Sequence, residues 1–331
     1  RLTQYNMPKL VSKSLTWERI RTTDIGLDLG FLNNELTVGF DWYQRENRDM
    51  LAPAQVLPNS VGATAPYDNA GTLRTRGWEL NLDWHHKFGE FNVYANFNLS
   101  DSKTKVTKWN NDTKLLSSYF SGKTYGDIWG FETDRYFEES DFTGQNADGS
   151  WIYKSGVASQ SALERAPFHY GPGDIKFKDL DGDGQITEND RTVIGNTTPK
   201  FQGGFGLSGQ WKNFDFTANF NYMVDFDVYN ATNYMLSSSI SNTNNFYNVL
   251  ADFTQKNRWT YVRADGECLY KNTNIDGSVN EYITMNAGKS LWNPADVEDK
   301  VTHSYFVEDG SFLRLQDVTI GYTSVSYTHL R

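Results

Sequence analysis

The chain has one cysteine, Cys268, among 331 residues, so no disulfide can form within it, and cysteine usage leaves the compartment open. It has no apolar run near the ~20 residues a spanning helix needs, and its mean hydropathy is −0.62. That excludes a helical membrane protein. It leaves a membrane barrel open, because strands that alternate average out as polar. Basic residues are in deficit, 31 Lys+Arg against 41 Asp+Glu, and the net charge of −10 argues against a nucleic-acid partner. Catalytic signatures are missing as well: neither H-E-x-x-H nor G-x-S-x-G occurs. Ser121-Gly122-Lys123-Thr124 has Ser117 where a phosphate loop needs glycine. His85 and His86 adjoin on a strand and so face opposite ways, which argues against a joint metal site. An enzyme is not expected. The chain opens Arg1-Leu2 with neither Met nor a leader, and is expected to be a piece of something longer.

What is present is aromatic residues, 15% of the chain, and long alternation. Ile25, Leu27, Leu29 and Phe31 alternate with Asp24, Gly26, Asp28 and Gly30; after Asn33-Asn34, Leu36, Val38, Phe40 and Trp42 resume the pattern. Period two around a tight turn predicts a hairpin. A second hairpin sets Trp78, Leu80, Leu82 and Trp84 against Phe91, Val93, Ala95, Phe97 and Leu99 across Lys87–Glu90. A third pairs Phe201–Trp211 with Phe214–Tyr222 across Lys212-Asn213, and a last strand covers about 311–323. Residues 1–23 read as a loop-like lead and 48–73 as a long loop.

Alternation alone does not say which face meets water. Three features decide for a barrel over a soluble sandwich. The strands run about 9–12 residues, the length that crosses a bilayer. The turns are short on one side and tens of residues long on the other, as in outer-membrane barrels. The polar faces are Asn, Gly, Asp, Thr, Gln and Ser without lysine, whereas Lys87 and Lys212 sit at turns. Parity puts an even number of strands, zero or two, between Phe91–Leu99 and Phe201–Trp211, zero being simpler. Residues 104–200 and 225–307 are then two large external segments. About seven antiparallel strands result, too few to close a barrel that passes a substrate.

One stretch carries ligand chemistry. In Asp179-Leu-Asp181-Gly-Asp183-Gly184-Gln185-Ile-Thr187-Glu-Asn-Asp190, carboxylates at alternate positions precede a glycine, and a carboxylate holds the twelfth place. This is the order of a calcium loop, which wants six to eight hard oxygens. Asp179, Asp181 and Asp183 would give side-chain oxygens, Gln185 its carbonyl, Thr187 an oxygen directly or through water, and Asp190 the closing carboxylate. The flank Asp174–Lys178 alternates like a strand, and Gly171-Pro172-Gly173 breaks any preceding helix, so the loop is no EF-hand. Its Ca²⁺ would be structural. Trp109, Trp129 and Trp259, in the segments between strands, are candidates for stacking on a ligand.

Gly173–Gly184, Asp190–Asn196 and Pro199-Lys200-Phe201 resemble the signature of SusC/RagA-type TonB-dependent transporters. Leu15–Glu18, Gly26–Asn34, Asn69-Ala70-Gly71, Gly77–Leu80, Lys212–Asp215, Arg258-Trp259, Phe306–Leu315 and Thr319–Tyr322 agree in order. The resemblance covers nearly the whole chain. It implies that residues 1–331 are the C-terminal part of a plugged barrel of about 22 strands in a Gram-negative outer membrane. It further implies import of oligosaccharides or peptides, coupling to TonB through an N-terminal part not in this sequence, and a SusD-like surface lipoprotein as lid. Residues 324–331 leave the family pattern, as truncated or foreign sequence would. The alternative is a calcium-stabilised surface binding or adhesion module without transport.

Overall fold

The computed structural model describes residues 15–53, 66–111, 119–164, 169–238, 251, 257, 259, 261–263, 268–269, 283–285 and 301–324. The expected tail beyond Ser324 and most of 239–300 lie outside the described residues. The chain divides into two units, one of 1–127, 196–227 and 309–331, the other of 128–195 and 228–308.

The first unit is a seven-stranded sheet. Its strands are β1 (Arg19–Phe31), β2 (Leu36–Pro53), β3 (Tyr67–Phe88), β4 (Phe91–Trp109), β5 (Phe201–Trp211), β6 (Phe214–Val224) and β7 (Phe312–Tyr322). They pair in chain order, every pair antiparallel, with β1 and β7 at the edges, so the sheet does not close on itself. β4 is hydrogen-bonded directly to β5, with no strand between. The expected all-β, antiparallel, seven-stranded organisation is therefore what forms.

Register turns seven alternating strands into one apolar face. Leu29 lies opposite Val38, Val38 opposite Leu82, and Leu82 opposite Phe97. Phe97 continues to Phe205, and Phe205 to Phe220. Phe220 lies opposite Leu315 of β7, across a bulge. Beyond the bulge the phase of β7 slips by one, so Val318 and Ile320 join Leu313 and Leu315 on the same face although their numbers differ in parity. Among the described residues no core covers this face: Ile25 is 64% exposed and Ile320 76%. Aromatic rings mark both its ends. Trp84, Phe88 and Phe91 stand near the short turns with Trp211, Phe214 and Tyr322, and Phe40 stacks on Trp78 at 6.3 Å towards the other end. From Phe88 to Trp78 the strand rises about 34 Å, or roughly 26 Å along a membrane normal at ~40° tilt, which matches the ~25 Å apolar band between aromatic girdles.

Three short turns connect strands on one side. Leu32, Asn33 and Asn34 all have positive φ in the first. Gly89 does so in the second and Lys212 in the third. The second turn is tighter than Lys87–Glu90, because Phe88 pairs with Phe91 and Lys87 belongs to β3.

On the other side the strands are longer than the alternation suggests. β2, β3 and β4 run 18, 22 and 19 residues. The expected lead to residue 23 and loop over 48–73 are corrected accordingly: β1 begins at Arg19, β2 reaches Pro53 and β3 starts at Tyr67. Hydrogen-bonded ladders need no apolar partner, and these extensions carry mixed polar and apolar residues without strict alternation.

The second unit has a core of its own: Phe131, Phe137, Phe142, Tyr170, Ile175, Phe177, Ile186 and Phe306. Short two-stranded ladders surround it, among them Thr133–Tyr136 with Ile175–Phe177, and Phe142–Gln145 with Trp151–Tyr153. No described helix is long and apolar enough to cross a membrane.

Candidate functional site

The acidic loop is built on the second unit's core. Strand Ile175–Phe177 alternates Ile175 and Phe177 into that core, with Lys176 between. Buried Gln160 clamps the strand: its Nε2 donates to the Ile175 carbonyl at 3.1 Å, and its Oε1 accepts from the Phe177 amide at 2.6 Å. Ile186, fully buried, pins the far end. Between these anchors the chain curls, with Gly182 and Gly184 at φ +76° and +83°, where a β-carbon would be strained.

The curl brings carboxylate oxygens of Asp179, Asp181 and Asp183 within 4.8 Å of one another. Two ~2.4 Å Ca–O bonds span that distance, so the set fits one hard cation. The carboxylates also hold the loop's amides. Asp179 accepts from Gly182 at 2.6 Å and Gly184 at 2.9 Å, and Asp183 from Gln185 at 2.7 Å.

Asp190 stands outside that convergence. It is fully buried and accepts the amides of Leu180 at 2.8 Å, Asp181 at 3.4 Å and Thr187 at 2.7 Å. Thr187 caps the short 3-10 turn Glu188–Asp190, its hydroxyl accepting from Asn189. Gln185 is tied by a bridge to Ser159.

A cleft of about 690 Å³ opens beside the loop, lined by Asp179 and Gly184 and also by Asp134, Lys154, Lys176 and Lys178. Lys176 and Lys178 lie on the flank that leads into the loop, whereas Lys154 escaped the sequence reading because it is remote from the loop along the chain. Lys176 pairs with Asp134 at 3.4 Å. Lys178 pairs with Glu132, which raises its pKa through that hydrogen bond. Nearby, burial pushes the Asp141 carboxyl up, but the Arg135 guanidinium at 2.6 and 2.7 Å and the Glu138 amide outweigh it and hold the group below its ordinary value. Burial raises the Tyr136 and Tyr153 hydroxyls.

The three tryptophans are not brought together. Trp109, half-buried in the sheet unit, meets Tyr119 edge-on at 5.1 Å, and Tyr119 stacks towards exposed Tyr125 at 6.5 Å. Lys123 lies 5.6 Å over the Tyr119 ring, its pKa lowered by burial against the opposing pull of Asp127. Trp129 is half-buried in strand Asp127–Phe131. Trp259 is only 3% exposed and packs on Gly173, where a β-carbon would fall 2.6 Å from its own. On the polar face of the sheet, Asn96, Asn98, Asn219, Asn221 and Gln316 line a shallow groove of about 330 Å³.

A uniform apolar face on antiparallel strands, uncovered and edged by aromatics, defines the wall of a membrane barrel. The family model for the TonB dependent receptor-like β-barrel matches residues 3–168, and the chain belongs to that family. TonB-dependent receptor P3 of Formosa agariphila is 28% identical over 93% of this chain and 27% of its own length. TonB-dependent receptor SusC of Bacteroides thetaiotaomicron is 24% identical over 96% and 27%. Among solved structures, the RagAB peptide importer in its 'closed-closed' state matches the fold with TM-score 0.59 at 19% identity, over 93% of this chain and 29% of that one. The chain thus spans somewhat more than a quarter of these relatives' length. The expected resemblance holds, and a family of receptors agrees with the expectation of no enzyme.

Proposed function

We propose that this chain is a wall section of a TonB-dependent outer-membrane transporter that imports oligosaccharides or peptides beneath a SusD-like surface lipoprotein. The carrying observation is the apolar face running unbroken across seven strands, with no core to cover it among the described residues. SusC and a peptide importer among the similar proteins support nutrient import, and the remainder of the barrel, the plug and the TonB-contacting segment would come from sequence outside this chain. The short turns then face the periplasm, and segments 104–200 and 225–307 the exterior. A surface adhesion module would leave the apolar face without a role.

Within the external part, Asp179, Asp181 and Asp183 hold one structural Ca²⁺, joined by the Gln185 carbonyl and, directly or through water, Thr187. Asp190 keeps the loop in shape through its three amides. Millimolar external calcium would keep such a site loaded at the ~10⁻⁴–10⁻³ M affinity of extracellular modules. Ligand contact falls to the aromatic group of Trp109, Tyr119 and Tyr125 and to the asparagine-lined groove, with Trp129 a further candidate and Trp259 acting through packing.

The full-length transporter tests this. Cells carrying it should take up an oligosaccharide or peptide library component in a TonB-dependent way, and a surface lipoprotein should co-purify. Binding of a ligand at the cell surface with no TonB-dependent uptake would favour the adhesion module.

A further inference from the structure

The outward rows do not stop at the aromatic belt. Above the row Ile25, Trp42, Trp78, Asp101 the register places Thr23, Gln44, Arg76 and Lys103, and above that Arg21, Glu46, Arg74 and Lys105. Steps of two keep all of them on the apolar side of the sheet. The side-chain contacts agree. Arg76 Nε donates to Gln44 Oε1 at 2.8 Å, and Glu46 accepts Arg48 at 2.5 and 2.9 Å and Arg74 at 2.7 Å. Glu46 is 5% exposed, so this carboxylate is a buried clamp that fixes two guanidinium groups within the face.

Arg21, Lys103 and Lys105 are exposed, and none has a carboxylate partner among the described residues. The other end of the same face differs: Lys212 pairs with Glu90 and His86 with Glu35. In a chain of net charge −10, Arg21, Lys103 and Lys105 thus stand together on one face, immediately beyond an apolar band, at the end away from the short turns. Arg and Lys stems can lie on apolar surface while their heads reach the interface, and guanidinium groups grip phosphate in bidentate fashion. A dissolved anion would have no reason to select the lipid-facing side.

We propose that this band docks the phosphates of an anionic lipid headgroup in the leaflet next to the long segments. The proposal rests on the barrel placement given above. Each cation near a charged membrane surface contributes about fivefold, so Arg21, Arg76, Lys103 and Lys105 together should change retention on the order of a hundredfold or more.

The test uses the full-length transporter and its R21Q/R76Q/K103Q/K105Q variant, which leaves the Glu46 clamp intact. Each is incubated in mild detergent with lipid A carrying two phosphates or with its dephosphorylated form, and retained lipid is counted by native mass spectrometry. The parent should retain the phosphorylated lipid at least tenfold better than the variant does, and neither should prefer the dephosphorylated form. Equal retention by both proteins, or equal retention of both lipids, overturns the proposal. A fluorophore at Val38, read with nitroxide lipids, separates the two levels. Quenching there without lipid selectivity sinks the band alone. No quenching sinks the barrel placement and the band with it.

Discussion

Leu82→Arg should destabilise the full-length barrel far more than Asn81→Arg, although the positions are adjacent. Leu82 lies between Val38 and Phe97 in the register, near the middle of the band from Phe88 to Trp78. An arginine at the bilayer midplane on the lipid face costs about 2–4 kcal/mol. Asn81 lies between Gly39 and Asn98 on the opposite face. There the new guanidinium meets polar groups, the Asp28 carboxylate over Gly39 among them, and a surface-like cost within about 0.5 kcal/mol is expected. The difference is a factor of roughly 10–400 in the folding equilibrium, at about 1.4 kcal/mol per tenfold. Urea unfolding in lipid vesicles, followed by the gel mobility of the folded barrel, would read it as a shift in midpoint. Equal midpoints for the two variants, or a larger loss at Asn81, would refute the assignment of faces.

Two further outcomes concern the second unit. Chelator, or the Asp181→Ala and Asp183→Ala double substitution, should speed protease cleavage between Gly171 and Gly195 several-fold in the intact transporter and leave the strands uncut; unchanged cleavage would make the loop an acidic turn without an ion. Asp141 has a folded pKa below its unfolded value, so its pairing with Arg135 stabilises the fold above the unfolded pKa and is lost as pH falls through the folded one. Amide exchange around Phe137 and Lys154 should therefore accelerate below about pH 4, and Asp141→Asn should remove that acid dependence while costing about 1–3 kcal/mol at neutral pH. An acid profile identical in the variant would assign it to other groups.

The sheet was legible because each apolar strand alternates and each turn is short; Leu82 announces its own face and, through hairpin parity, that of Phe97. Strand ends were not, since Arg74, Thr75 and Lys105 carry no alternation and only the hydrogen-bond ladder shows them paired. The phase slip in β7 comes from a bulge opposite Asn219 and Phe220, and showing it needs the partner strand. In the acidic loop, spacing put Asp179, Asp181 and Asp183 in one curl, and the structure brings their carboxylate oxygens within 4.8 Å of one another. Spacing could not show that Asp190 is occupied by three amides, because that depends on where the chain folds back. Trp259 met Gly173 through tertiary packing alone, for which sequence distance holds no signal.

The most direct measurement is a scan of single fluorophores from Glu79 to Trp84 along β3 in the full-length transporter, reconstituted in vesicles with nitroxide-bearing lipid. Leu80, Leu82 and Trp84 should be quenched, whereas Glu79, Asn81 and Asp83 stay bright. Quenching with the opposite parity, or at neither set, would contradict a barrel wall with its apolar face turned to lipid.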